Sequence, residues 1–130
     1  MEKSENNWHA QETYRSMMEF GRGMLRFTFL ANGGAIIALL TFLGDLYSKN
    51  TSAPSMKMPL IAFLSGLLLG GIAAMTTYFT QFMLFNESIK DVDAEGLNSH
   101  LVWFRITILL IALSILAFAL GAFIAVARLQ

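Results

Sequence analysis

Polar and apolar positions along this chain fall into long blocks instead of a short alternation. Three stretches contain no Asp, Glu, Lys or Arg: Phe27 to Gly44, Met58 to Asn86 and Ile106 to Ala127. They hold 18, 29 and 22 residues. A helix needs about 20 apolar residues to cross the hydrocarbon core of a bilayer, with about 17 as the lower bound. Each block therefore predicts one transmembrane helix, the first at the short end of the range and the second overshooting it. The expected fold class is all-α and integral to a membrane. An N-terminal cytoplasmic or interfacial helix over 1–26 precedes a three-span transmembrane domain over 27–130, the whole assembling as a helical-bundle oligomer.

The segments outside the blocks are short. Ser4 to Arg26 contains no proline, and Trp8, Tyr14, Met17, Met18 and Leu25 give it a ragged apolar stripe. Such a segment either lies on the membrane interface or continues straight into the first span. The connection from Asp45 to Lys57 reads as an irregular turn before a helix opened by Pro59. The second block ends in the run from Tyr78 to Phe85, more than a membrane requires, so this helix is expected to tilt or to project. If its projecting end meets the N-terminal helix, the two form a small collar. Gly96 and Asn98 mark the expected break before the third helix.

Composition agrees with the pattern, because 55% hydrophobic and 14% charged residues are unlike a soluble domain of 130 residues. A net charge of zero removes a broad nucleic-acid-binding surface but leaves room for a small anion site. Without cysteine there are no disulfides, thiolate metal sites or Cys nucleophiles. The charged N-terminal segment lacks the basic start, apolar core and small-residue cleavage site of a signal peptide, so the first block is expected to remain in the mature protein. Orientation follows from Lys and Arg. Lys3, Arg15, Arg22, Arg26, Lys90 and Arg105 lie on one side of a three-span topology, against Lys49, Lys57 and Arg128 on the other. That bias predicts a cytoplasmic N-terminus and an outside C-terminus.

Catalytic chemistry is thinly represented, and no enzyme activity, metal or cofactor is expected. His9 reads as a surface histidine, and His100, near Trp103 and Arg105, as part of an interfacial anchor. Asp91, Asp93 and Glu95 alternate like the start of a calcium loop, but the glycine and terminal glutamate of an EF-hand are missing, which leaves a solvated acidic cap. No block carries a charge at membrane depth, which argues against proton relays and ion-coupled transport.

Polar and small residues inside the blocks carry more information. Asn32, Gly33 and Gly34 interrupt the first block: a side-chain amide in hydrocarbon requires a partner, and the two glycines are expected to allow close helix approach. Gly66 and Gly70 in the second, and Ala117, Gly121 and Ala125 in the third, are spaced four apart and predict faces of close helix approach. Thr77 and Gln81 share a face near the end of the second block. Asn32, Thr77 and Gln81 thus read either as interhelical contacts or as the wall of a hydrated path. A pore, if present, is built from several copies, narrowed by apolar side chains and gated by dewetting.

The string from Leu30 to Gly44, Leu-Ala-Asn-Gly-Gly-Ala-Ile-Ile-Ala-Leu-Leu-Thr-Phe-Leu-Gly, preceded by Tyr14-Arg15-Ser16-Met17, resembles the start of small bacterial multi-span membrane effectors of antiphage defence, of the Hailong channel type. The resemblance covers chiefly the N-terminal helix and the first span. It implies an oligomeric pore that depolarises the inner membrane of an infected cell. It further implies that a nucleotide or oligonucleotide, made by a partner nucleotidyltransferase, keeps the pore closed. If an anionic ligand acts in this way, Arg15, Arg22 and Arg26 are its expected contacts, although Arg22 and Arg26 also suit ordinary inside-facing anchors. Two other readings stay open: a non-conducting membrane assembly or accessory protein, and a phage holin, which usually carries a more charged tail than Ala127-Arg128-Leu129-Gln130.

Overall fold

The computed structural model describes the backbone of residues 2–50, 54–89 and 99–129, and the side chains in these ranges except at 2–7, 9–10, 87–89 and 99–100. Asp91, Asp93, Glu95, Gly96 and Asn98, and the side chains of His9 and His100, lie outside the described residues. Three helices make up the architecture: α1 from Glu2–Ser48, α2 from Lys57–Ile89 and α3 from Ser99–Leu129. All three contain segments long and apolar enough to cross a membrane: Gln11–Ser48, Lys57–Asn86 and Leu101–Leu129.

Of the two courses open to the N-terminal segment, α1 takes continuation into the span. Its 47 residues extend about 70 Å at 1.5 Å per residue, against a hydrocarbon core of ~30 Å. With no proline or π-bulge along it, nothing breaks the backbone ladder at residue 26. At its far end Asn50 adopts the left-handed conformation, φ 51°, a common way for a non-glycine residue to stop a helix. The helix α2 begins two residues before Pro59, so this proline sits in the first turn, where its missing N–H has no partner to lose.

Side-chain contacts fix the directions. Asn32 meets Gly66, Thr28 meets Gly70 and Met18 meets Gln81, so α1 and α2 are antiparallel. Phe63 meets Gly121, Gly66 meets Ser114 and Thr76 meets Thr107, so α2 and α3 are antiparallel too. The α2–α3 pair shares the most extensive contact, and α1 packs mainly against α2. The buried apolar core is small: Met56, Phe63, Ala73 and Ile111. In the most apolar window of each helix only 11%, 28% and 17% of residues are buried, so most of the apolar surface faces outward. In water such a surface is a liability; in lipid, or against further helices, it is the expected exterior.

Candidate functional site

The interior is threaded by polar groups. Thr28, Asn32, Thr76, Thr80, Thr107 and Ser114 are all buried, and Asn32 and Ser114 have no exposed surface at all. Asn32 sits where the three helices meet. Its Nδ2 donates to the Thr28 carbonyl one turn back, at 3.0 Å, and to Ser114 of α3, with Oγ at 3.3 Å and the carbonyl at 3.5 Å. The Ser114 hydroxyl in turn donates to the Gly66 carbonyl of α2 at 2.7 Å. One amide thereby ties α1 to α3 and, through a single hydroxyl, to α2.

Glycine makes this junction possible. A Cβ at Gly66 would overlap the Asn32 amide, coming 2.7 Å from its Cγ and 2.9 Å from Nδ2. Both acceptors of Nδ2 include carbonyls, which cannot donate, so the amide orientation is determined by the network. Its Oδ1 is buried without a conventional donor among the described residues. It faces the Gly66 Cα–H, a weak donor of the kind found at helix contacts. One turn further along α2, a Cβ at Gly70 would stand 3.0 Å from Thr28 Oγ1. The expected close-approach face at Gly66 and Gly70 is therefore filled by α1 of the same chain.

The third helix behaves similarly at Gly121, where a Cβ would come within 2.7 Å of the Phe63 ring. Phe63 is buried there beside Phe118, with ring centroids 5.9 Å apart. Ala117 and Ala125, one turn to either side of Gly121, are half-buried. The close approach expected at Gly33 and Gly34 is not made among the described residues: a Cβ at Gly33 would touch only Leu67, at 3.9 Å, and Gly34 opens onto empty space, because α2 packs against the Thr28–Asn32 face instead.

Toward the N-terminal end of α1, Thr107 Oγ1 donates to Thr76 Oγ1 at 2.8 Å, linking α2 to α3, with the Trp103 carbonyl as its alternative acceptor, while Thr76 donates to the Ala73 carbonyl. Thr77 bonds back to the Ala73 carbonyl at 2.8 Å and is half-buried. Gln81 reaches α1, donating to Met18 Sδ at 3.4 Å and accepting from Tyr14 Oη at 3.5 Å. So α1 and the end of α2 do meet, with Phe79 of α2 also against Trp103 of α3 at 5.6 Å between centroids. Both Gln81 contacts are weak, the one from Tyr14 because it is long and the one to Met18 because a thioether is a poor acceptor. Asn32, Thr77 and Gln81 are not brought together: Gln81 lies fifteen residues beyond Gly66 on α2, about 22 Å along the axis.

Arg15, Arg22 and Arg26 are exposed. Spacings of seven and four place them on one face of α1. Arg15 pairs loosely with Glu19, 3.7 Å away and equally solvated, a contact of little energy. Arg22 and Arg26 form no ion pair with another described residue. Arg105 follows at a similar level on α3, nine residues before Ser114, as Arg22 and Arg26 are ten and six residues before Asn32.

Thr28, Ser114, Thr107 and Phe63 complete the contacts without belonging to the small-residue or amide pattern of the blocks. Ser114 is the only serine of the third block, at its middle, and Thr28 precedes Asn32 by one turn; both were available as signals. No group of acidic or histidine side chains among the described residues is placed to hold a metal ion. Comparison with protein-family models, with curated proteins and with solved structures returns no match.

Proposed function

We propose that this chain is a membrane effector of antiphage defence that assembles from several copies into a pore and depolarises the bacterial inner membrane. Its N-terminus is cytoplasmic and its C-terminus outside. An anionic ligand of the nucleotide or oligonucleotide class, made by a partner nucleotidyltransferase, holds the pore closed. The observation that carries this reading is the placement of Arg15, Arg22 and Arg26 on one exposed face of a helix that continues unbroken into the span. An anion bound there acts on the same rigid element that carries Asn32, so ligand and membrane helix are mechanically joined. Since Asn32, Ser114 and Gly66 close the interior of the single bundle, a conducting path runs between copies and is lined by apolar side chains. Opening is then a wetting transition.

The test uses the full chain in proteoliposomes with a potential-sensitive dye. The vesicles should lose an imposed potential, and ATP or a mixed-sequence oligonucleotide on the N-terminal side should slow that loss. Replacing Arg15, Arg22 and Arg26 together by Gln should leave the leak and abolish the block. An unaltered potential in every lipid composition contradicts the pore.

A second reading is favoured by a different observation. The buried network accounts for Thr28, Asn32, Thr76, Thr80, Thr107 and Ser114 within one chain, which leaves no strongly polar stripe facing a neighbour among the described residues of the spans. A non-conducting assembly protein has this character. It predicts stable oligomers with silent vesicles.

A further inference from the structure

The outward side of α1 carries a second periodicity besides the inward stripe of Met18, Leu25, Thr28 and Asn32. Met17, Phe20, Met24, Phe27, Ala31, Gly34, Ala38 and Thr41 follow one another at alternating steps of three and four. That spacing is the seam of a left-handed helix pair. No described residue covers its first half: Met17, Phe20, Met24 and Phe27 are 57%, 74%, 55% and 52% exposed. A shallow groove of about 510 Å³ follows it, bordered by Glu19, Phe20, Gly23, Met24 and Phe27, with Ile115 of α3 at one edge. In the second half, Gly34 has no neighbour within 4 Å of where a Cβ would stand.

We propose that this seam receives a second copy of the chain, α1 against α1 in parallel. Three considerations select that occupant. Lipid does not suit the whole length, because Met17 and Phe20 lie before Arg22 and Arg26 and beside Arg15 and Glu19, outside the uncharged block. The seam therefore crosses from an aqueous layer into hydrocarbon, and an identical helix makes that crossing at the same residue. Copies inserted in one membrane also share their direction, so the seam meets itself in register. Its large layers, Met17 to Phe27, face each other, and its small layers, Ala31 to Ala38, permit close backbone approach.

The area is sufficient. Exposures of this size on two Met and two Phe side chains amount to roughly 500 Å² per copy, hence about 1,000 Å² for a pair before the small layers are counted. With all of it covered, that meets the ~1,000 Å² threshold of a specific interface, and the small layers must add the rest. The proposal shares with the pore reading only the premise that copies assemble.

Because the natural chain has no cysteine, disulfide scanning reads the contact directly. Full-length single variants Met17→Cys, Phe20→Cys, Met24→Cys and Phe27→Cys are oxidised in membranes, with Arg22→Cys and Phe29→Cys, on the opposite side of α1, as references. Since all these positions are exposed, the substitutions leave the packed interior intact. At least fivefold more homodimer at the seam than at the reference positions is expected. Equal yields, a maximum at Arg22 and Phe29, or adducts only to a different protein would overturn the proposal. Potential measurements on the same membranes separate the two ideas: seam disulfides in tight vesicles retain the interface and remove the pore, whereas leaky vesicles without seam disulfides do the reverse.

Discussion

Replacing Gly66 by Ala adds one methyl group at the point where all three helices meet. The new Cβ would overlap the Asn32 amide, which is fully buried. Moving it strains the bonds from Nδ2 to Thr28 and Ser114. Overpacking of this kind costs about 1–3 kcal/mol, and interhelical hydrogen bonds in membranes contribute about 0.6 kcal/mol each. Against this, Ala is favoured over Gly in a helix by about 1 kcal/mol. The net expectation is a loss of about 2 kcal/mol. Asn32→Ala alone should cost about 1 kcal/mol, since it removes the bonds but also the orphaned Oδ1. Once Asn32 has been truncated the methyl has room, so the double variant should be no less stable than Asn32→Ala. The resulting coupling is about 2 kcal/mol. Reversible unfolding in mixed micelles, followed by helicity, measures all four corners of the cycle. Gly71→Ala, with open space around it, serves as the reference and should be neutral or mildly stabilising. Additive costs for Gly66→Ala and Asn32→Ala would refute the three-helix junction.

Two further outcomes follow from the same packing. Gly121→Ala should lower stability by about 1–2 kcal/mol by pressing on the Phe63 ring, and Phe63→Leu in that background should recover part of the loss; an unchanged unfolding curve for Gly121→Ala would contradict the contact. Ser114→Ala should cost about 1 kcal/mol and make the Asn32 and Gly66 substitutions nearly independent of α3, which the unfolding cycle repeated in that background would reveal.

Much of this architecture is legible in the chain because hydrocarbon imposes simple rules. The three uncharged blocks delimit the spans, and a lone amide at Asn32 demands a partner. The glycines at 66, 70 and 121 announce close approach. What local pattern does not contain is register. That Gly66 receives Asn32, 34 residues away, and that Ser114 completes the junction from 82 residues away, depends on how far each helix slides past the others. Ser114 looked ordinary because a hydroxyl can satisfy itself on its own helix, as Thr77 does here. The basic face of α1 was visible as three arginines. Its union with the span is not contained in local pattern, since an interfacial helix and a continuous one share the same composition, and only the unbroken α1 decides it.

Electrical recording from planar bilayers containing the purified full chain tests the pore reading most directly. Stepwise unitary currents are expected, suppressed by a mixed-sequence oligonucleotide on the N-terminal side and insensitive to it when Arg15, Arg22 and Arg26 are Gln. Assembled protein that gives no steps in any lipid mixture would contradict the channel.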